Sequence, residues 1–493
     1  MLFSSIVFLF TFLPIILVLY YLVPRIYVNI LSSRGIKNAK ERYYPAVRTY
    51  KNIVVLSGSL IFYAWGEPVY LFLMVFSIMF NYISGLDIAR NLKNKEKAKR
   101  SLIYNVGVNL LILGFFKYEG FLLDSINAVL PVDIPFRELP LPIGISFYTF
   151  QILSYIIDVY RGEVEVQKNL IDFAVYVTMF PQLIAGPIVQ YADIDRQLHA
   201  RKETIENFGE GTLFFIRGLS KKVLLANTIG MVFQKVSLMD AEQVSVLSAW
   251  LGCAAYTFQI YFDFSGYSDM AVGLGKMLGF EFKKNFFYPY VSTSITEFWR
   301  RWHISLSTWF RDYVYIPLGG NRVSKRAHVR NIMVVWMLTG LWHGAAWNFV
   351  IWGLYYGILL LIEKYILTDV IEKIPMVVRH IYCLAFVMIG WVFFFSPTLG
   401  SAVDYLKLMV GAEGHGFIDK QGLYILMTNG WMWVMLVLGS TPAVHDFYEG
   451  FIYSKGQAKM KAAVNCAIYA ILFLLCVAYL VTESYNPFLY FRF

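Results

Sequence analysis

Charge is scarce in this chain. Only 15% of its 493 residues are Asp, Glu, Lys or Arg, against 58% hydrophobic and 18% aromatic. A soluble globular chain carries roughly a quarter charged residues, and no polar segment here is long enough to form a soluble domain. Cysteine is nearly absent. Cys253, Cys383, Cys466 and Cys476 fall in apolar runs without CxxC spacing, which implies neither a disulfide framework nor a thiolate metal site. HExxH and any His or Cys pair at ligand spacing are missing, so no metal is expected. There is also no GxSxG elbow, no Walker A pattern and no GxGxxG, which leaves serine-triad chemistry and nucleotide cradling unsupported. Met1 to Pro24 carry no charged side chain. Without the basic n-region of a cleaved signal, this run reads as a retained first span.

What the chain has instead is apolar sequence along nearly its whole length. Crossing the hydrocarbon takes about 20 residues, which gives roughly ten to twelve crossings. The fold class expected is an all-α integral membrane protein, one domain over residues 1–493. The formal net charge of +10 is not gathered on one stripe, so nucleic acid is not the expected partner. It clusters in short loops, Arg25 to Lys51, Arg90 to Arg100, Lys283 to Arg330 and Lys455 to Lys461, as the positive-inside rule requires of cytoplasmic loops. The Gly66-Glu67-Pro68 turn makes a hairpin that puts the first two clusters on one face. Lys117 to Pro142 then reads as an outer loop, and Asp193 to Glu210 as a charged amphipathic surface stretch. Pro181, Gly186 and Pro187 argue for a broken or re-entrant segment over Phe180 to Ile188, since irregular backbone at membrane depth survives only beside protein or a cavity.

Two histidines stand out in this setting. His303 lies in Phe298-Trp299-Arg300-Arg301-Trp302-His303, and His343 in Leu341-Trp342-His343-Gly344. An ionisable residue in apolar sequence is a functional hypothesis by default, and imidazole suits proton transfer near neutral pH. Read as one helix, Phe298 to Phe310 places Trp299, His303, Leu306 and Phe310 on one face and Arg300, Ser307 and Arg311 on another. Arg300 and Arg301 are candidates for phosphates of a CoA-type donor, because guanidinium is planar and always charged. The alternative is that they anchor the helix at the headgroups, paired with Glu297. His343, between tryptophans and small residues, is expected to stay neutral as a general base must. The alternative there is a structural histidine between helices. Asp263 is expected to satisfy a backbone donor or orient a neighbour.

Asn285 to Tyr290, the Phe298 to Phe310 segment with its Arg-Trp-His, Tyr313 to Gly320 and Leu341 to Gly344 resemble the membrane-bound O-acyltransferase family. Phe180 to Ile188 and Tyr261 to Met270 resemble its branch of bacterial alginate O-acetyltransferase membrane subunits. The resemblance implies a polytopic helical ring with re-entrant segments and a central tunnel, its catalytic core about 142–366. It implies His343 as the catalytic histidine and His303 as the second. Acetyl-CoA is the implied co-substrate, with no permanently bound cofactor. The implied partners are membrane lipid, an extracytoplasmic serine-hydrolase-like (SGNH) acetyltransferase and a polysaccharide acceptor, at a bacterial cell membrane. The last span and aromatic tail, about 463–493, are similar to tails proposed as acyl relays in teichoic-acid machinery, which makes Tyr490 a candidate ester carrier. The alternative for that tail is an interfacial aromatic belt.

The activity expected is O-acetylation of an exported polysaccharide. Two rivals stay open at this point: a transporter or flippase of lipid-linked sugars, and a same-family enzyme for another acyl group or acceptor, such as D-alanine on teichoic acid or a lipid hydroxyl.

Overall fold

Side-chain caps and glycines fix where the helices begin and end. Helices α1 (Phe8–Ser33), α2 (Tyr44–Ala64) and α3 (Tyr70–Asn91) come first, with the expected turn at residues 66–68 joining α2 to α3. The Asn94 side chain accepts from Lys97 N at 3.2 Å and starts α4 (Lys95–Val129), satisfying one of the N–H groups that a helix start leaves without partners. Gly144 and Gly162, both at positive φ, bound α5 (Ile145–Arg161), a backbone conformation glycine adopts without a Cβ clash. The computed structural model describes residues 1–130, 134–136, 139–239, 244–412, 416–453, 458–483, 485–487 and 489. Among them the regular elements are helical and no strand occurs.

The chain divides into two compact units, Met1–Phe215 with Met270–Lys283 and Ile216–Asp269 with Lys284–Phe493. The segment expected as one catalytic core, about 142–366, is therefore shared between them. In the first unit α3 and α4 are tied by a buried asparagine cluster. Asn105 and Asn109 each donate to Asn81 Oδ1 at 2.8 Å, and Asn81 donates back to Asn109 at 3.1 Å. Such amides hold apolar helices together where the hydrophobic effect offers little. Helix α4 runs to Val129, so Lys117 is no loop residue; it is buried within the helix and donates to Ser146 Oγ at 3.3 Å. The helix continues through Gly120 because no proline follows Phe116 until residues 131 and 135.

Residues 180–188 are broken as expected. A single turn, Phe180–Leu183, stops short, and the chain then bends through residues 184–186 within the protein interior. Gly186 allows this: a Cβ there would lie 2.4 Å from Gln182 Cα.

Among the described residues, five helices are long and apolar enough to cross a membrane: α1, α3, α4, Met376–Phe395 and Ala463–Thr482. Counting the bent pair Lys420–Thr428 and Gly430–Gly439 as one span gives six, fewer than the ten to twelve expected. Length is not the limit everywhere. Helix α6 (Val246–Met277) has 32 residues but carries Gln259, Asp263 and Asp269, and its polar positions serve the protein interior. The chain is thus a multi-pass membrane protein with several apolar helices, and much of its remaining helical mass is buried aromatic packing.

Candidate functional site

The second unit builds the site. Helix α7 (Ile295–Arg301) is capped by Ser294, whose side chain accepts from Glu297 N. It ends at Arg301, and helix α8 (Ile304–Phe310) begins after Trp302 and His303. His303, between them, has φ 45° and ψ 53°, the left-handed region. The single helix expected over Phe298 to Phe310 is therefore two, and Trp299 and His303 meet different rings. The Trp299 ring packs on Trp336, Trp352 and Tyr356, with centroids 4.7 to 5.6 Å away. The His303 ring meets Phe264 at 4.8 Å and Trp342 at 5.8 Å. Left-handed backbone costs a non-glycine residue roughly 1–2 kcal/mol, so something must hold it.

That hold is Asn285. Its Oδ1 accepts from Ser305 N at 3.1 Å and Ser305 Oγ at 2.9 Å, and His303 Nδ1 lies 3.2 Å from the same atom. A backbone N–H can only donate, which identifies this atom as the amide oxygen; His303 Nδ1 therefore carries the hydrogen. In the neutral ring Nε2 then has the lone pair. Backbone bonds from Ile304 N to Asn285 O and from Phe287 N to Arg301 O, both 2.9 Å, zip the two segments together around the break.

His343 ends helix α9 (Lys325–His343), which packs on α10 (Trp347–Tyr365). Two glycines set the approach. A Cβ on Gly340 would sit 2.2 Å from Phe349 O, and one on Gly353 would sit 2.1 Å from Trp336 O. Small residues at such crossings let helix backbones meet. The His343 ring is enclosed by Trp342 at 5.0 Å, Trp352 at 5.0 Å and Phe394 of α11 (Met376–Phe395) at 5.3 Å, mostly edge to face. Forty residues apart in sequence, the two imidazoles stand with centroids 6.4 Å apart, His303 1% and His343 3% exposed. The sequence singled out both, and the fold brings them together.

The two arginines separate. Arg301 is engaged locally: it pairs with Glu297 at 2.8 Å, donates to Phe287 O at 3.2 Å and lies over the Phe287 ring. Partial burial works to raise the Glu297 carboxyl, but bonds from Thr293 N–H and Arg301 outweigh it and hold it below its ordinary value. Arg300 is exposed at the end of α7. Tyr490 lies outside the described residues. Asp263 accepts from Leu489 N at 2.9 Å, the backbone-donor role expected of it.

Sequence reasoning assigned no role to Asn285 or to Glu363. Glu363, buried on α10, accepts from Ile295 N at 2.6 Å, Thr296 N at 2.8 Å and Thr296 Oγ1 at 2.6 Å. It thus fastens the start of the helix that leads to His303. The signal was available, since a carboxylate in the run Trp347 to Tyr365 is costly unless it has such a task.

Residues 145–402 match the membrane-bound O-acyltransferase family. Over the whole length of both chains, the protein is 39% identical to the probable alginate O-acetylase of Azotobacter vinelandii. It is 44% identical to that of Pseudomonas aeruginosa, over 94% of this chain and 85% of the other. It is 34% identical to the peptidoglycan O-acetyltransferase of Helicobacter pylori, over 84% of this chain and 80% of that one. Both histidines, Asn285 and Glu363 fall inside the matched region. Transport without bond chemistry is set aside by this match, and the chain belongs to the membrane-bound O-acyltransferase family, as an O-acyltransferase.

Proposed function

We propose that this enzyme takes an acetyl group from cytosolic acetyl-CoA and moves it outward for O-acetylation of an exported polysaccharide. The final ester is made by an extracytoplasmic partner of the SGNH type, at a bacterial cell membrane. The observation that carries the reading is the pairing of His303 and His343 in one buried aromatic cluster. The full-length likeness to polysaccharide O-acetylases supports the choice of acyl group and acceptor class.

His343 is the general base. The hydroxyl oxygen of a first acceptor, which hands the acetyl on to the partner, attacks the thioester carbonyl, its proton passes to the imidazole, the C–S bond breaks, and the imidazolium returns the proton to the departing thiolate. A positioned base of this kind contributes on the order of 10² to 10⁴ in rate. His303, with Nδ1 committed to Asn285, presents Nε2 to the donor side and positions the thioester. Arg300, exposed at the end of α7, meets the CoA phosphates, while Arg301 stays with Glu297.

Purified protein in vesicles, supplied with labelled acetyl-CoA outside and with the extracytoplasmic partner and its polysaccharide acceptor inside, tests this. Label is expected on the enclosed acceptor, with His343→Ala abolishing it at unchanged membrane abundance. Ester formation retained in that variant removes His343 from the chemistry. Transfer of D-alanine, with acetyl-CoA untouched, assigns the protein to a different acyl group.

A further inference from the structure

One buried ion pair in the second unit plays no part in the chemistry above. Lys222, in the wide helical turn Lys221–Ala226, has Nζ 2.7 Å from Asp263 Oδ1 on α6, and both side chains are only 3% exposed. Burying two charges is costly unless their remaining donors and acceptors are also satisfied. Here the satisfying groups belong to a segment more than two hundred residues away in sequence. Lys222 Nζ donates to Pro487 O, and Asp263 Oδ2 accepts from Leu489 N at 2.9 Å. One turn on from Lys222, Asn227 Nδ2 donates to Asn486 Oδ1 at 3.2 Å. Tyr485 lines a cavity with Val223, Asn227 and Met231. The cation takes a carbonyl and the anion takes an amide two residues on, so the pair grips polypeptide backbone by both its acceptor and its donor. Asp263 is followed by Phe264, the ring that meets His303 at 4.8 Å.

We infer that Lys222 and Asp263 form a docking site for a peptide backbone, occupied by this chain's own Pro487 and Leu489. They act as positioning residues for the histidine cluster by fixing the stretch of α6 that carries Phe264. The docking stands on geometry alone; the positioning role rests on the function proposed above.

Hydrogen exchange of the full-length protein in detergent, read by mass spectrometry on overlapping peptides, tests the docking. The Leu489 amide is expected to be protected in the parent and to exchange at least tenfold faster in Asp263→Ala. In Asp263→Asn, which keeps an acceptor, much of the protection returns. The exchanged pair Lys222→Asp with Asp263→Lys retains the two charges but sets an ammonium against the Leu489 amide and a carboxylate against the Pro487 carbonyl. Release of the segment is expected there too, with exchange in α3 and α4 unchanged as the check on folding. Parent-like protection in both Asp263→Ala and the swapped pair overturns the docking. For the positioning role, a roughly tenfold fall in kcat at constant KM for acetyl-CoA is expected wherever the segment is released. Release with kcat unchanged overturns it. Should no variant and no parent transfer acetyl, the functional proposal fails, while the exchange readout still decides the docking.

Discussion

His303 and His343 face one another across 6.4 Å, centroid to centroid, with Trp342 packed against both. Replacing His343 by Ala is expected to lower acetyl transfer by about 10²-fold or more, the contribution of a positioned base. His303→Ala, which removes a positioning group, is expected to raise KM for the donor more than it lowers kcat. Steady-state kinetics on the two variants separates these roles; equal kcat losses with KM unmoved in both contradict the division.

Asn285 carries three contacts on one oxygen. Asn285→Ala leaves a buried backbone N–H and an imidazole N–H without their acceptor, at a cost of about 1–3 kcal/mol each. Thermal unfolding is expected to fall by several degrees and transfer to drop. Asn285→Asp, which keeps the acceptor, is expected to recover part of the activity. A melting curve that does not move for Asn285→Ala argues against the hold described.

The glycine crossing of α9 and α10 tolerates no side chain. Gly340→Ala and Gly353→Ala each force a methyl within about 2 Å of a carbonyl oxygen, and overpacking of this kind costs about 1–3 kcal/mol. Reduced stability in detergent is expected, with displacement of His343 and loss of transfer. Gly107→Ala, which meets nothing within 4 Å, is the neutral control.

Glu363→Gln puts an amide NH₂ where three donors converge. At least one of them loses its acceptor, costing about 1–3 kcal/mol. The start of α7 is expected to fray, read as faster hydrogen exchange at Ile295 and Thr296. Unchanged exchange there speaks against Glu363 as the fastening group.

Much of this was legible in the residues. The joined motifs around His303 and His343 pointed to the family, and the prolines and Gly186 foretold the broken segment. The break at His303 was not legible, because left-handed backbone at a non-glycine position comes from distant contacts, here Asn285, and leaves no mark in local periodicity. Which apolar runs meet lipid was hard to read for a related reason. Periodic apolar runs such as Val246 to Phe262 look alike whether they face lipid or a protein interior. The Asn81, Asn105 and Asn109 cluster was equally hidden, since the spacing that unites two helices is set by their packing and not by either sequence alone.

A proton wire through an imidazole needs one nitrogen to receive and the other to give. At His303 the Nδ1 hydrogen rests on an amide oxygen that has no hydrogen to pass onward. Through Nδ1, therefore, the ring offers protons no onward route. If the acetyl group crosses the bilayer as proposed above, it can do so without a proton path through this ring.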